Sequence, residues 1–393
     1  MSLTDIAAIP VIDADTHVTE PVDLWSSRLP VKWAEDAPRV DIHPVTKHRH
    51  WRIGDTWLHA VAFYSQAGYK DYPPDMPFEY EETDPAAHDP HERLKRMDEY
   101  GIDTQILYPN IIGFNSSLFM SMEHDLSIAC TRAYNDFITE WASVDPDRLI
   151  PISMVPFWDR EAATAEMKRC ADMGHRGVLF ANKYERVGLP SFTDPYWDPI
   201  YAAAVDLDLA VNYHIGFADP EAPLRFSPEA IEAKKQIEKW RLQTAARSTI
   251  LFLSQFEILA NLVTSGVCDR FPTVKFVSVE SGFGYVPFLL EALDWQWKAL
   301  GAYRYKDLLP SEYFRRQCYG TFWFERSTLR LLDCYPDNFM FSTDFPHPTS
   351  VSPGPASAAE IPSQHIAHAF DAVPIEIARK ALRDNARAVY RLN

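Results

Sequence analysis

"VIDADTHVTEP" occupies residues 11–21. A short apolar start runs straight into three carboxylates (Asp13, Asp15, Glu20) and a histidine (His17). The opening reads as a β-strand, and the acids crowd its C-terminal end. Like charges placed there repel, so something has to compensate them, and a bound cation is the simplest compensator. The rest of the chain must then supply further ligands at the same end of the same sheet.

Working outward, seven more apolar, β-rich runs follow: "TQILYPN" (104–110), "LIPISMVPF" (149–157), "GVLFAN" (177–182), "LAVNYHIGF" (209–217), "VKFVSVESG" (274–282), "RQCYGTFWF" (316–324) and "FMFSTDFPH" (339–347). Helical patterns separate most of them. "HERLKRMDEYG" ends at Gly101 and "REAATAEMKRCADMG" at Gly174, both natural helix stops. Strands alternating with helices predict a parallel sheet, and a total of eight predicts an α/β fold of the closed (β/α)8, TIM-like barrel type. Two stretches exceed a minimal barrel. Residues 22–90, after the first strand, contain a hairpin pattern around "IGDTW" and the Pro-rich "YPPDMPFEYEETDP"; residues 217–270, after the fifth, carry two or three helical patterns. Both are expected to cover the barrel mouth. With no repeat or linker visible, residues 1–393 read as one domain with insertions.

The bulk numbers narrow the function classes. The chain has 393 residues, 47% of them hydrophobic, ample for a buried core. A formal net charge of −17 argues against nucleic acid, which selects Lys/Arg clusters. No run approaches a membrane span, and the N-terminus lacks the basic and apolar regions of a signal peptide. The 5 cysteines are scattered with no C-x-x-C, so they read as reduced thiols of a cytoplasmic protein.

Several polar residues fall at the C-terminal ends of the strands, the active face of such a barrel. They are Asp15 and His17 on the first, His214 on the fifth, Glu280 on the sixth and Asp344 on the eighth, with His347 following in "TDFPHP". Histidines with carboxylates suit a divalent ion, Zn or Fe where imidazole dominates and Mn as carboxylates accumulate. Singly, each has a plain structural reading: a buried histidine in "VNYHIGF", a turn aspartate in "STDFP". Jointly they point to one site. "HRH" (His48–His50) has ligand spacing but sits in the hairpin and reads as a solvated pair, and His91 opens a helix.

At these residues the sequence resembles the amidohydrolase superfamily, within it the amidohydrolase-related group that includes aminocarboxymuconate semialdehyde decarboxylase and aromatic-acid decarboxylases. The matching motifs are "IDADTHVTEP", "RLKRMDEYGIDTQILYP", "AVNYHIGF", "FPTVKFVSVESGFGYVPFLLEALD", "FMFSTDFPHP" and "ALRDNARAVYRL", spread along nearly the whole chain. The resemblance implies the barrel fold and metal dependence. The family's first motif is His-x-His; here it is Asp15-x-His17, a change that related members share and that favours harder ions. His214 and Asp344 map to the family's metal ligands. Many decarboxylases of the group carry a histidine where this chain has Glu280, which can relay a proton or ligate an ion. A second ion would draw on Glu280 with Glu20 or His59. The carboxylated lysine of dinuclear relatives has only Lys183 as a counterpart, past the strand end.

Aromatic residues near the predicted mouth (Trp51, Trp57, Phe63, Tyr64, Phe217, Phe283, Tyr285, Trp323, Phe324) are candidate pocket walls or core, and Arg225, Arg241 or Arg247 candidate partners of a substrate carboxylate. The leading expectation is a metal-dependent hydrolase of a small carboxylated or aromatic substrate. Asp15, His17, His214 and Asp344 hold one divalent ion (Zn, Mn or Fe). An activated water attacks, Asp344 accepts its proton, and Glu280 serves as relay or further ligand. The alternatives are nonoxidative decarboxylation of an aromatic or unsaturated acid, a dinuclear Fe/Mn oxygenase or thioester hydrolase, and an inactive structural subunit. A homodimer is expected, with a heteromer of a related chain as the variant.

Overall fold

The computed structural model describes residues 6–181, 183–217 and 238–393. Eight strands form one parallel sheet: β1 (Val11–His17), β5 (Ile102–Tyr108), β6 (Leu149–Ser153), β7 (Gly177–Phe180), β8 (Ala210–His214), β9 (Phe276–Val279), β10 (Cys318–Phe322) and β11 (Phe339–Phe341), neighbours in that order. Each coincides with one of the runs read from the sequence. The ring closes just beyond β11. His17 N–H donates to the Phe345 carbonyl (2.7 Å) and Asp344 N–H to the Asp15 carbonyl (2.9 Å). The eight strands thus make a nearly closed barrel surrounded by helices, a (β/α)8 arrangement.

Local chemistry sets the helices between them. The helix Pro90–Tyr100 starts where the Asp89 carboxylate accepts from the N–H groups of His91 and Glu92, and it stops at Gly101, whose φ of 72° is left-handed. Asp159 caps Arg160–Asp172 in the same way. The segment between β1 and β5 carries a second sheet, β2 (Arg39–Ile42), β3 (Arg49–Ile53) and β4 (Thr56–Ala60), antiparallel in that order. The hairpin read around "IGDTW" is its β3–β4 half; β2, at the start of the same stretch, adds a third strand that is short and largely half-exposed. Between β8 and β9 the described helices are Glu238–Phe252, Ser254–Thr264 and Val267–Arg270.

Two polar seams tie the barrel interior. On β1 the Asp13 carboxylate accepts from Thr343 N–H (2.8 Å), Thr343 Oγ1 (2.6 Å) and Gln105 Nε2 (3.2 Å), so it clasps β1 to β5 and to the turn after β11. Arg93, fully buried, donates to the carbonyls of His17 (2.7 Å) and Ala86 (2.6 Å) and to Gln105 Oε1 (3.1 Å). Across the barrel, Tyr108 and Tyr390 both donate to Asn212 Oδ1 (3.0 and 2.8 Å), bringing the closing helix Asn385–Tyr390 to the floor below the strand ends. Among the described residues no helix is long and apolar enough to cross a membrane.

Candidate metal centre

Asp13, Asp15 and His17 are alternate residues of β1 and share its inward face. Above the Asp13 clasp, the ends of three further strands, β8, β9 and β11, bring their residues to those of β1. His17 Nε2 lies 3.1 Å from His214 Nε2, and Asp15 Oδ1 lies 3.6 and 3.5 Å from those two nitrogens. Asp344 Oδ1 is 3.8 Å from His17 Nε2, and Glu280 Oε2 is 3.7 Å from His214 Nε2. Asp15, His17, His214 and Asp344 have no exposed surface, and Glu280 has 7%. All five residues read from the sequence therefore meet at one place.

The hydrogen-bond accounting there does not close without a cation. His17 Nδ1 lies 3.0 Å from the Pro109 carbonyl and His214 Nδ1 2.8 Å from the Ile215 carbonyl. A carbonyl only accepts, so both Nδ1 atoms carry the proton and both Nε2 atoms are left to face each other. A proton or a cation has to lie between them. A single proton would not serve Asp15 Oδ1, Asp15 Oδ2 and Asp344 Oδ1, all buried with no hydrogen-bond partner. Among the described residues no lysine or arginine pairs with Asp15, Asp344 or Glu280. Uncompensated buried carboxylates cost several kcal/mol each. Burial, followed by repulsion from neighbouring carboxylates, pushes Asp344 and Glu280 well above the usual carboxylate range. Burial, then His347 and His214, holds His17 well below its ordinary value. Two ligand sets with atoms close enough to share an ion emerge, Asp15–His17–His214 and His17–Asp344–His347. Nitrogen and carboxylate oxygen in this mixture fit a divalent ion.

The backbone is strained at the two strand-end acids. Glu280 (φ 56°) and Asp344 (φ 59°) are left-handed without being glycine, and such outliers gather at functional sites. A hydrogen bond from Asp344 N–H to Asp15 O fixes one, and Glu280 N–H donates to Thr321 Oγ1 (2.9 Å).

The sequence named His347 at this end of the barrel without giving it a role, and left Asn110 and Phe114 unread. His347 stacks on His17 at 3.8 Å between ring centres, with Nδ1 2.9 Å from Asp344 Oδ1 but off the angle of a hydrogen bond. Its Nε2 donates to Asn110 Oδ1 (2.8 Å), whose orientation is set because Asn110 Nδ2 donates to the Val18 carbonyl (3.0 Å). Phe114 lies over the cluster. Nothing in "YPNIIGFN" signals either role, since Asn110 and Phe114 reach the site only through the loop after β5.

Other expectations change. Glu20 is no second-ion ligand: its Oε1 accepts from Asn110 N–H and Ile111 N–H (2.8 Å each), capping the short helix Ile111–Phe114. His59 lies against Phe63 and Tyr64, its Nδ1 toward the Ala60 carbonyl, and belongs to neither ligand set. His50 is buried rather than solvated, held by Leu58 O and Thr46 Oγ1, while His48 is stacked on Phe78. His91 is exposed and Lys183 follows the end of β7, as expected. Of the aromatic candidates, Tyr64 and Phe217 reach the centre; Trp51 and Phe283 are core. Arg225 lies outside the described residues, and Arg241 and Arg247 are exposed, the former donating to the Pro73 carbonyl (3.1 Å).

The amidohydrolase family model (Amidohydro_2) matches residues 12–392. The chain belongs to the amidohydrolase family. It is an enzyme of this superfamily. A gamma-resorcylate decarboxylase of Rhizobium sp. (strain MTP-10005) is 27% identical over 268 residues, 65% of this chain and 76% of the relative. Among solved structures, an amidohydrolase of Mycobacterium avium subsp. paratuberculosis K-10 superposes with a TM-score of 0.72 at 21% identity, covering 98% of this chain and 99% of the other. A dihydroxybenzoic acid decarboxylase of Polaromonas sp. JS666, with bound manganese and the inhibitor 2-nitroresorcinol, gives 0.58 at 18% identity and 98% coverage of both chains. At these identities the structural likenesses speak to the fold.

Proposed function

We propose that this amidohydrolase is a metal-dependent, nonoxidative decarboxylase of a hydroxylated aromatic acid. The observation that carries the reading is the buried cluster of Asp15, His17, His214, Asp344 and Glu280, with carboxylate oxygens that no protein donor meets, beneath aromatic rings. The gamma-resorcylate and dihydroxybenzoate decarboxylases among its relatives support it over the hydrolase first expected. Asp15, His17, His214 and Asp344 would hold the ion, and the manganese of the Polaromonas relative makes Mn the first metal to try. A divalent ion bound here supplies the positive charge that offsets the carboxylates and attracts an anionic substrate.

The chain's own groups account for the proton. Decarboxylation breaks the bond between ring carbon and carboxylate. The electron pair stays on the ring, CO2 departs, and a proton must reach that ring carbon. Two buried carboxyls are placed to carry it, Asp344 and Glu280. Asp344 has His347 Nδ1 2.9 Å behind it; because His347 keeps its proton on Nε2 toward Asn110, that nitrogen can take a proton from Asp344 but has none to give. Glu280, 3.7 Å from His214 on the other side, holds the second proton position. The buried surroundings exclude water from the protonation step. One domain over 1–393, one ion per chain, a cytoplasmic location and a homodimer complete the reading.

The test is turnover of 2,6-dihydroxybenzoate in D2O by Mn-loaded protein. CO2 release with deuterium at the vacated ring carbon, lost in Asp344→Asn, is expected. Ester or amide cleavage that incorporates labelled water, with no CO2 from any hydroxybenzoate, would return the hydrolase.

A further inference from the structure

The candidate centre is shut. Asp15, His17, His214 and Asp344 have no exposed surface, and Phe217 above them has 3%. A cavity that reaches His347 is lined also by Gln66, Tyr69 and Ser350 and measures about 10 Å³, room for roughly one water. A hydroxybenzoate needs far more, so something must move.

The closing elements are specific. Phe114, from the loop after β5, has its ring centre 5.9 Å from His17 and 5.8 Å from both His214 and His347. It stacks on Tyr64 (4.9 Å, 25°) and on Phe217 (4.7 Å, 17°), which follows β8. Each phenylalanine rests on the other loop's glycine. A Cβ on Gly113 would lie 1.7 Å from Phe217 Cε1, and one on Gly216 would lie 3.2 Å from Phe114 Cε1. The seam is flat ring on bare backbone from both sides, contact that holds by shape and parts without breaking a covalent or ionic link.

We propose that Phe114 and Phe217 form an aromatic gate over the centre, and that the Phe114 ring fills the place taken by the planar ring of the substrate. This rests on the decarboxylase reading and adds to it how the substrate is selected. An aromatic ring replacing Phe114 inherits the same stacking faces, Tyr64 and Phe217, above the imidazoles. A bulky aliphatic acid inherits none of them. Phe217 and Tyr64 are therefore specificity-determining residues, and Phe114 is an internal occupant competing with substrate.

Gly113 supplies a clean probe. Its φ is not left-handed, so alanine fits the backbone, and the nearest atoms that the new Cβ of Gly113→Ala meets are those of the Phe217 ring in the closed gate. The experiment compares Mn-loaded wild type, Gly113→Ala, Phe114→Ala and Phe217→Ala in the rate at which dipicolinate strips the ion and in the Kd for 2-nitroresorcinol. Melting curves verify folding. Gly113→Ala and Phe114→Ala are expected to lose the ion at least tenfold faster. Phe114→Ala should bind 2-nitroresorcinol more tightly, and Phe217→Ala more weakly. Wild-type stripping rates in both gate variants would overturn the gate, whether or not the enzyme decarboxylates. Should the purified protein hold no ion, the decarboxylase reading fails while the gate is still tested, by the rate at which diethyl pyrocarbonate modifies His214. Faster modification in the folded variants supports the gate, and an equal rate ends it.

Discussion

Asp13 and Asp15 stand two residues apart on β1, face the same barrel interior and are equally buried, yet their surroundings are opposite. Asp13 accepts from three donors and holds the barrel seam shut. Asp15 has neither oxygen satisfied and faces two imidazoles and two further acids. The lower layer spends its charge on closing the barrel. The upper layer leaves its acids without donors, a deficit that a bound cation, or protons taken up by Asp344 and Glu280, would remove. Buried charge alone thus says little about function; whether its hydrogen bonds are complete separates the structural acid from the functional one.

The sharpest break of this comparison is Asp15→Asn beside Asp344→Asn. Each is expected to lose the ion and lower turnover by about a thousandfold or more, on the scale of removing a transition-state electrostatic group. In chelator the same variants should melt at or above the wild-type temperature, since like-charge repulsion is relieved. A lower melting point without metal would make Asp15 structural after all.

Asp13→Ala should reverse the pattern. It strands Thr343 N–H, Thr343 Oγ1 and Gln105 Nε2, at about 1–3 kcal/mol for each unsatisfied buried group. Denaturant unfolding should show a loss of several kcal/mol, with the ion retained by whatever fraction folds.

A pH effect follows from Glu20, whose carboxyl burial raises to about 7 from its ordinary 4.5. The folded state then binds this proton more tightly than the unfolded chain. Its contribution is complete below pH 4.5 and is lost as pH rises through 7, a change on the order of 3 kcal/mol. Unfolding in chelator between pH 4.5 and 7.5 should lose stability with rising pH, and Glu20→Gln should make that slope shallower, leaving the part due to Asp13, Asp344 and Glu280, which burial raises as well. A slope unchanged in the variant would mean that the two backbone N–H groups keep Glu20 ionised throughout.

The smallest effect is expected at the floor. Tyr390→Phe removes one of two hydroxyls on Asn212 Oδ1, worth about 1 kcal/mol, and leaves ion content and turnover as they were.

The eight barrel strands, their helical partners and the strand-end position of the five residues that meet at the candidate centre were legible in the chain, because periodicity and strand-end acids are local signals. The third strand of the small sheet was not, being short and half exposed. What the sequence by itself determined is the barrel and the acids and histidines gathered at its strand ends. Only the tertiary structure divided the acids of "VIDADTHVTEP" among three tasks: Asp13 to the seam, Asp15 to the centre, Glu20 to the cap of Ile111–Phe114. It alone set Asn110 behind His347 and Phe114 over the imidazoles. Those assignments depend on which donor lies within 3 Å across the barrel, and residues about 90 to 330 positions away in the chain provide it.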